Sequence, residues 1–209
     1  MTYNRKDYYF RKAKEDNFAA RSVYKLEEID KKFRLIKSGD QVLDLGAAPG
    51  SWSQYVSGKI GKMGRLLGID LQEVRLTLPN AVFVQGDFLT TDLTEVFRQY
   101  DMQPKFHSVL SDMAPRTTGI RVTDQARSLE LCEMALTAAR KYLLPGGSFV
   151  CKLFHSEGFE PLRKQIKEAF NRVEVLRPQS TRKESKEIFL IGIGFKPSEA
   201  SPSVTAPSE

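Results

Sequence analysis

Apolar and polar positions follow two different periods along the chain, and the two periods alternate. Short apolar runs typical of buried strands are separated by longer segments in which apolar residues recur every three or four positions, as in an amphipathic helix. Strands are predicted at residues 41–45, 64–71, 81–87, 107–115, 148–154, 172–178 and 187–195. Helices are predicted at residues 17–33, 52–59, 91–100, 124–144 and 158–170. This alternation predicts an α/β protein: a mostly parallel seven-stranded sheet with helices on both faces.

One predicted strand, SFVCKLF at residues 148–154, carries a lysine among apolar residues. A buried lysine needs a partner, because taking an ammonium out of water costs several kcal/mol. Lys152 therefore either reaches solvent from an edge strand or has a chemical role that justifies its burial. The strand alone leaves both interpretations open.

Length and composition limit the organisation of the chain. At 209 residues, 41% hydrophobic and 28% charged, it suits one domain with short extensions. We expect a basic aromatic N-terminal extension at residues 1–20, a main domain at 21–196 and a disordered Pro/Ser-rich tail at 197–209.

Composition also indicates where the protein acts. No apolar run approaches the roughly 18 residues of a membrane span, and the N-terminus has no apolar signal segment. Cys132 and Cys151 lie in apolar segments, which indicates reduced core thiols and a cytoplasmic location. With two histidines in the chain, we expect no metal site.

The positive charge is concentrated at the start of the chain. The net charge is +6, and residues 1–14 contain five basic residues against one aspartate. Aromatic residues are interleaved with these charges, namely Tyr3, Tyr8, Tyr9 and Phe10. Cations beside flat rings suit the phosphates and unstacked bases of RNA, although a solvated basic terminus has the same pattern.

The predicted strands end in polar or glycine residues. In an open α/β sheet, ligands bind outside the carboxyl ends of the strands. Those ends present Gly46, Gly50 and Trp52 after the first strand, Asp70 after the second, Asp87 and Phe88 after the third, Asp112 after the fourth, and Lys152 on the fifth. Each has a purely structural alternative as a turn glycine, a capping aspartate or a core aromatic residue.

The loop after the first strand indicates the kind of cofactor. Its sequence, DLGAAPGSW, lacks the G-x-G-x-x-G fingerprint of dinucleotide sites and the lysine of a P-loop. Asp70 follows Gly50 by 20 residues, a spacing that suits a carboxylate on the hydroxyls of a ribose. A nucleoside without phosphates fits best, which points to S-adenosylmethionine.

Four segments together resemble the FtsJ/RrmJ family of RNA ribose 2′-O-methyltransferases. They are DLGAAPGSWSQY, SDMAP, PGGSFVCKLF and ARSVYKLEEID, and the resemblance extends over roughly residues 8–196. It implies a Rossmann-like methyltransferase fold for the main domain and a catalytic tetrad of Lys25, Asp112, Lys152 and Glu187. It also implies an S-adenosylmethionine pocket at Gly50, Trp52, Asp70, Asp87 and Asp112, with Gly46 and Phe88 adjacent.

The resemblance further implies the substrate and the reaction. The expected substrate is a uridine in the A-loop of 23S rRNA in the large ribosomal subunit, methylated by a monomer without a metal. Lys152 would act either as a general base or as an ammonium that orients the acceptor oxygen. Alternatives are a tRNA or cap 2′-O-methyltransferase, or a non-catalytic RNA-binding ribosome-assembly factor.

Overall fold

A computed structural model describes residues 5–197, with side chains from residue 8 onward. The strands are β1 Gln41–Leu45, β2 Arg65–Asp70, β3 Ala81–Gln85, β4 Phe106–Ser111, β5 Leu143–Phe154, β6 Phe170–Leu176 and β7 Glu187–Phe195. The helices are α1 Arg5–Glu15, α2 Val23–Phe33, α3 Ser51–Ile60, α4 Leu93–Gln99, α5 Arg121–Tyr142 and α6 Phe159–Ala169.

The strands form one sheet in the order β3-β2-β1-β4-β5-β7-β6. The first five strands of that order are parallel, whereas β7 runs antiparallel to both β5 and β6. The sheet has helices on both faces, because neighbouring residues of β1 belong to separate apolar clusters. Leu43 packs in one cluster with Leu136 of α5, and Val42 packs in the other with Val56 of α3. The expected α/β architecture is confirmed.

The structure differs most from the sequence prediction at the N-terminal helices and at the start of β5. Helix α1 was not predicted, and α2 begins at Val23 rather than at residue 17, because Asn17 adopts a left-handed φ of 58° that separates two helices. Strand β5 begins at Leu143, five residues before the predicted strand at 148–154, and includes the Pro145-Gly146-Gly147 sequence. Its regular pairing with β4 resumes at Ser148 after an irregularity.

Helix α1 packs against the main domain. The ring of Tyr9 lies 5.4 Å from that of Tyr24 in α2, and Ala13 is buried in the same small cluster. This segment of the basic N-terminus is therefore a docked helix. Among the described residues, no helix is long and apolar enough to cross a membrane. Nearly all of the predicted tail, from residue 198 on, lies outside the described residues.

Strand register brings the carboxyl ends of the parallel strands to one edge. Leu45 pairs with Ile69 and with Ser111, and Ser111 pairs with Cys151. Asp112 directly follows Ser111 in the chain, and Lys152 directly follows Cys151. We call this edge the carboxyl rim.

Candidate active site

Lys152 is buried at the carboxyl rim and contacts Asp112. Its side chain is 8% exposed, and Nζ donates a hydrogen bond of 2.5 Å to the carbonyl oxygen of Asp112. The same nitrogen lies 2.9 Å from Asp112 Oδ1 as an ion pair. Strand β5 is an inner strand, because it lies between β4 and β7 in the sheet. Lys152 therefore does not reach solvent from an outer strand. The interpretation of an edge lysine is therefore wrong, and the neighbouring strand supplies the partner that a buried ammonium needs.

Lys25 and Glu187 form a second ion pair at the rim. Lys25 Nζ lies 2.6 Å from Glu187 Oε1, and both side chains are nearly buried. Lys25 lies in the first turn of α2, whereas Glu187 begins β7 and pairs with Phe154, two residues beyond Lys152. The antiparallel strand thus brings the Glu187 carboxylate back to the rim where Lys152 lies.

The two ion pairs are electrostatically linked. Burial disfavours the ionised form of Glu187, but the positive charges of Lys25 and Lys152 outweigh it and hold the pKa of the carboxyl below its ordinary value. The four residues of the expected tetrad therefore form one cluster of two ammonium groups and two carboxylates.

The loop after β1 crosses the rim beside this cluster. Gly46 and Gly50 both have left-handed φ angles, 76° and 106°, that favour glycine. A Cβ on Gly46 would lie 2.5 Å from Met113 Cγ, so the loop packs directly on the segment that carries Asp112. Asp70 holds the loop in place, because its Oδ2 accepts a hydrogen bond from the Ala48 N–H at 2.9 Å.

The other expected cofactor residues lie at the same edge, with different partners. Asp87 is exposed, and its Oδ1 accepts a hydrogen bond from the Leu89 N–H at 2.9 Å. Phe88 is half-buried and packs against the larger apolar cluster. Asp87 is therefore an exposed carboxylate just beyond the end of β3, with one oxygen bonded to the Leu89 N–H.

Trp52 belongs to the core. It is 3% exposed, its indole N–H donates to the Ser22 carbonyl at 2.9 Å, and its ring lies 5.8 Å from that of Phe189. The indole thus joins α3 to α2 and β7. What this position can offer a ligand is its backbone N–H in the first turn of α3, which has no partner within the helix.

Asp44 is a rim residue that the sequence analysis missed. It is fully buried in β1, where Ser53 Oγ donates to its Oδ2 at 2.6 Å. Burial raises its pKa to about 7, and the charges of Asp112 and Asp70 add to that effect. The signal was present in the sequence QVLDL, since an acidic residue in the middle of an apolar strand calls for the same explanation as Lys152.

The rim has a buried, unsatisfied oxygen that suits a donor of S-adenosylmethionine. Asp44 Oδ1 is buried and accepts no hydrogen bond, whereas Asp112 Oδ1 has Lys152 Nζ 2.9 Å away as its ion-pair partner. Buried acceptors normally have a donor, and the amino and ribose hydroxyl groups of this nucleoside are donors. The first-turn N–H groups of α3 and the Asp87 carboxylate add donors and an acceptor nearby. Among the described residues, no group of histidine, cysteine and acidic side chains is arranged to hold a metal ion.

Comparison with known proteins identifies relatives across nearly the whole chain. A family model described as FtsJ-like methyltransferase matches residues 18–195. The chain is 59% identical over 196 residues to the ribosomal RNA large subunit methyltransferase E of Bdellovibrio bacteriovorus, covering 94% of this chain and 100% of that one. The protein of the same name from Desulfatibacillum aliphaticivorans is 48% identical, with 90% and 89% of the two chains covered.

A solved structure supports the same assignment. A Plasmodium falciparum protein described as a ribosomal RNA methyltransferase superposes with a TM-score of 0.71 at 27% identity, covering 85% of this chain and 98% of that one. The family match spans the carboxyl rim and all four residues of the tetrad. The chain belongs to the FtsJ-like methyltransferase family.

Proposed function

We propose that this protein transfers the methyl group of S-adenosylmethionine to the ribose 2′-hydroxyl of a uridine in the A-loop of 23S rRNA. The observation that carries the proposal is the burial of Lys152 between Asp112 and Glu187, at the rim where the cofactor residues converge. When bound, the cofactor supplies an electrophilic methyl group on a positively charged sulfur. The protein's part is to present an oxygen nucleophile in line with it.

Lys152 is positioned to hold the acceptor oxygen. An ammonium has three N–H donors, and two of the directions around Nζ are taken by the carbonyl oxygen and the carboxylate of Asp112. No described residue accepts a hydrogen bond in the third direction, which we assign to the 2′-oxygen. In this role Lys152 remains an ammonium, orients the oxygen and stabilises its developing negative charge as the hydroxyl proton passes to solvent water and the bond from the methyl group to sulfur breaks.

Lys25 and Glu187 complete the site around that oxygen. The carboxylate of Glu187 stays ionised at neutral pH because of its two lysine neighbours, and it holds Lys25 at the rim. A second ammonium beside Lys152 increases the positive potential at the acceptor. Both lysines therefore favour the oxyanion over the neutral hydroxyl.

The chemistry can be tested with purified protein and RNA. We expect transfer of tritiated methyl from S-adenosylmethionine to large-subunit rRNA, and alkali resistance of the linkage that follows the modified nucleotide. A 2′-deoxyuridine at the target position should abolish transfer, whereas deoxy substitution at a neighbouring position should not. Methyl transfer to the base, or to a tRNA in preference to large-subunit rRNA, would contradict the proposal.

The proposal includes a protein that acts as a monomer, in the cytoplasm, on 23S rRNA, either free or in the large ribosomal subunit. Light scattering of the purified protein tests the first part. Mass-spectrometric mapping of ribose methylation in ribosomes from cells that lack the protein tests the second. A missing methyl group at one uridine of 23S rRNA is the expected result.

A further inference from the structure

A small cavity opens directly beside the Lys25–Glu187 ion pair. Its volume is about 210 Å³, several times the roughly 30 Å³ that one water molecule occupies. It is lined by Arg21, Ser22, Lys25, Arg182, Ser185 and Glu187. Three of these residues are cations and one is a carboxylate, and that carboxylate is already paired with Lys25. The cavity is therefore positively charged.

Two arginines of this cavity come close to each other. Burial lowers the pKa of Arg21, and the positive charge of Arg182 lowers it further, whereas Glu187, Tyr9 and Glu184 act in the opposite direction. The two guanidinium groups repel each other, Glu187 and Glu184 offset part of that repulsion, and an anion between the two groups would offset more of it. Guanidinium groups also match the geometry of a phosphate, to which they donate two parallel hydrogen bonds.

The first arginine is fixed in place. Arg21 Nη2 donates to the Ser180 carbonyl at 2.5 Å, and its guanidinium lies 5.5 Å from the centre of the Tyr9 ring. Arg21 is therefore oriented before any ligand arrives.

The loop that carries Arg182, residues 177–186, is also braced. Glu28 of α2 accepts hydrogen bonds from the N–H groups of Gln179 and Ser180, at 2.6 and 2.9 Å. Arg177 donates to three carbonyls of the same loop, those of Arg182, Lys183 and Ser185. A loop held at both ends presents its side chains with less loss of entropy on binding.

We infer that Arg21 and Arg182 form a phosphate-binding subsite for the RNA backbone next to the target ribose. The inference rests on the proposed function and specifies which part of the RNA the protein holds, namely a backbone phosphate. Lys25 lines the cavity and belongs to the tetrad, so a phosphate bound there lies one sugar away from the catalytic lysines. The 3′-phosphate of a nucleotide is attached to the carbon next to C2′, so holding it positions the 2′-hydroxyl.

The test compares two neighbouring cations. Arg182→Gln removes one of the positive charges that line the cavity. Lys183→Gln removes a neighbouring exposed charge that does not line the cavity. We expect Arg182→Gln to raise the KM for an A-loop RNA hairpin at least tenfold and to lower the log-log salt slope of RNA binding by about 0.7. Lys183→Gln should change KM less than threefold. S-adenosylmethionine affinity and melting temperature should be unchanged in both variants.

Chemically modified RNA locates the phosphate. A series of hairpins, each with one neutral methylphosphonate linkage near the target, should show one linkage next to the target ribose whose neutralisation weakens binding of the wild type. That linkage should have no further effect in Arg182→Gln. Equal KM values for the two variants, or a sensitive linkage that stays sensitive in Arg182→Gln, would overturn the subsite. Such a result with active wild-type enzyme would leave the proposed function intact, whereas an inactive wild type would contradict the proposed function itself.

Discussion

Lys25 Nζ and Glu187 Oε1 lie 2.6 Å apart, and this ion pair joins the first turn of α2 to the start of β7. The pair consists of the Lys25 ammonium, which we propose to be catalytic, and the Glu187 carboxylate, whose pKa is also lowered by the charge of Lys152. Helix α2 is thereby tied to the part of the sheet in which the reacting oxygen is expected to bind.

Glu187→Gln should lower kcat by ten- to a hundredfold while S-adenosylmethionine affinity stays the same. The substitution keeps the shape of the side chain but leaves Lys25 without its counter-charge, and a nearly buried ammonium without a partner moves or loses its proton. Single-turnover methylation and calorimetric titration of the cofactor measure the two quantities. Glu168→Gln, at an exposed position of α6, is the control for charge. A kcat within twofold of the wild type would remove Glu187 from the site.

Substitutions of Lys152 distinguish its two possible roles. Lys152→Met removes the charge and should lower the rate by at least a hundredfold, as for the loss of an oxyanion donor. Lys152→Arg keeps a charge that cannot be lost, so it should retain more activity than Lys152→Met if the residue acts as an ammonium. Equal inactivity of the two variants would favour a general base. Lys164→Met, exposed on α6, should behave as the wild type.

Asp44 should make the stability of the ligand-free protein fall with pH. Its folded pKa of about 7 exceeds the unfolded value of about 3.9, so the folded state keeps a proton that the unfolded chain releases. The stability contributed by this proton is complete below about pH 4, is lost progressively toward pH 7, and does not change further above it.

Asp44→Asn removes that dependence, because an amide does not ionise. The free energy of unfolding of the variant minus that of the wild type should rise between about pH 4 and 7, by at most about 1.4 kcal/mol per pH unit. Urea unfolding across this range gives the values. Asp101→Asn, exposed and in a left-handed conformation that asparagine tolerates, is the control. A difference that does not vary with pH would mean that Asp44 titrates alike in both states.

Asp87→Ala should weaken S-adenosylmethionine binding about five- to 150-fold, since a cofactor donor left without its acceptor costs about 1–3 kcal/mol. The matched control is Asp92→Ala. Asp92 is also exposed and also accepts from backbone N–H groups, but it caps α4, with its Oδ1 2.9 Å from the Thr94 nitrogen. This control should lower the melting temperature and leave cofactor affinity alone. Equal affinities in the two variants would exclude Asp87 from the pocket.

Helix α1 should contribute to RNA binding through its exposed charges. Deletion of the helix would also remove the packing of Tyr9 and Ala13, so substitution is the cleaner test. Arg11→Gln combined with Lys14→Gln should reduce the log-log salt slope by up to about 1.4, or 0.7 for each phosphate contact with single-stranded RNA.

The control for this prediction is a pair of exposed lysines at the end of the sheet opposite the carboxyl rim, where the parallel strands begin. Lys62 and Lys105 precede β2 and β4, and their double substitution by glutamine removes the same charge far from the rim. Parallel salt slopes for the two double variants would show that α1 makes no specific contribution to RNA docking.

Hydrophobic periodicity was sufficient to predict the strands, helices α2 to α6 and the polar strand ends, because these are properties of short segments. The resemblance to the methyltransferase family was also recognised from short motifs. The family match confirms that resemblance and the expected cofactor, S-adenosylmethionine. Helix α1 was missed because its apolar residues pack on Tyr24, a contact outside the segment. The assignments of individual site residues remain predictions that the variants above test.

The partners of each rim residue were decided by tertiary structure. Nothing local to residue 25 or residue 187 specifies their ion pair, which exists because β7 runs antiparallel between β5 and β6 and returns its first residue to the rim. The same holds for Trp52, whose indole is committed to the Ser22 carbonyl, and for Asp44, whose pKa is set by complete burial near two other carboxylates. Periodicity identifies which side chains reach an edge of the sheet, whereas charge pairing and burial depend on residues that only the folded chain brings together.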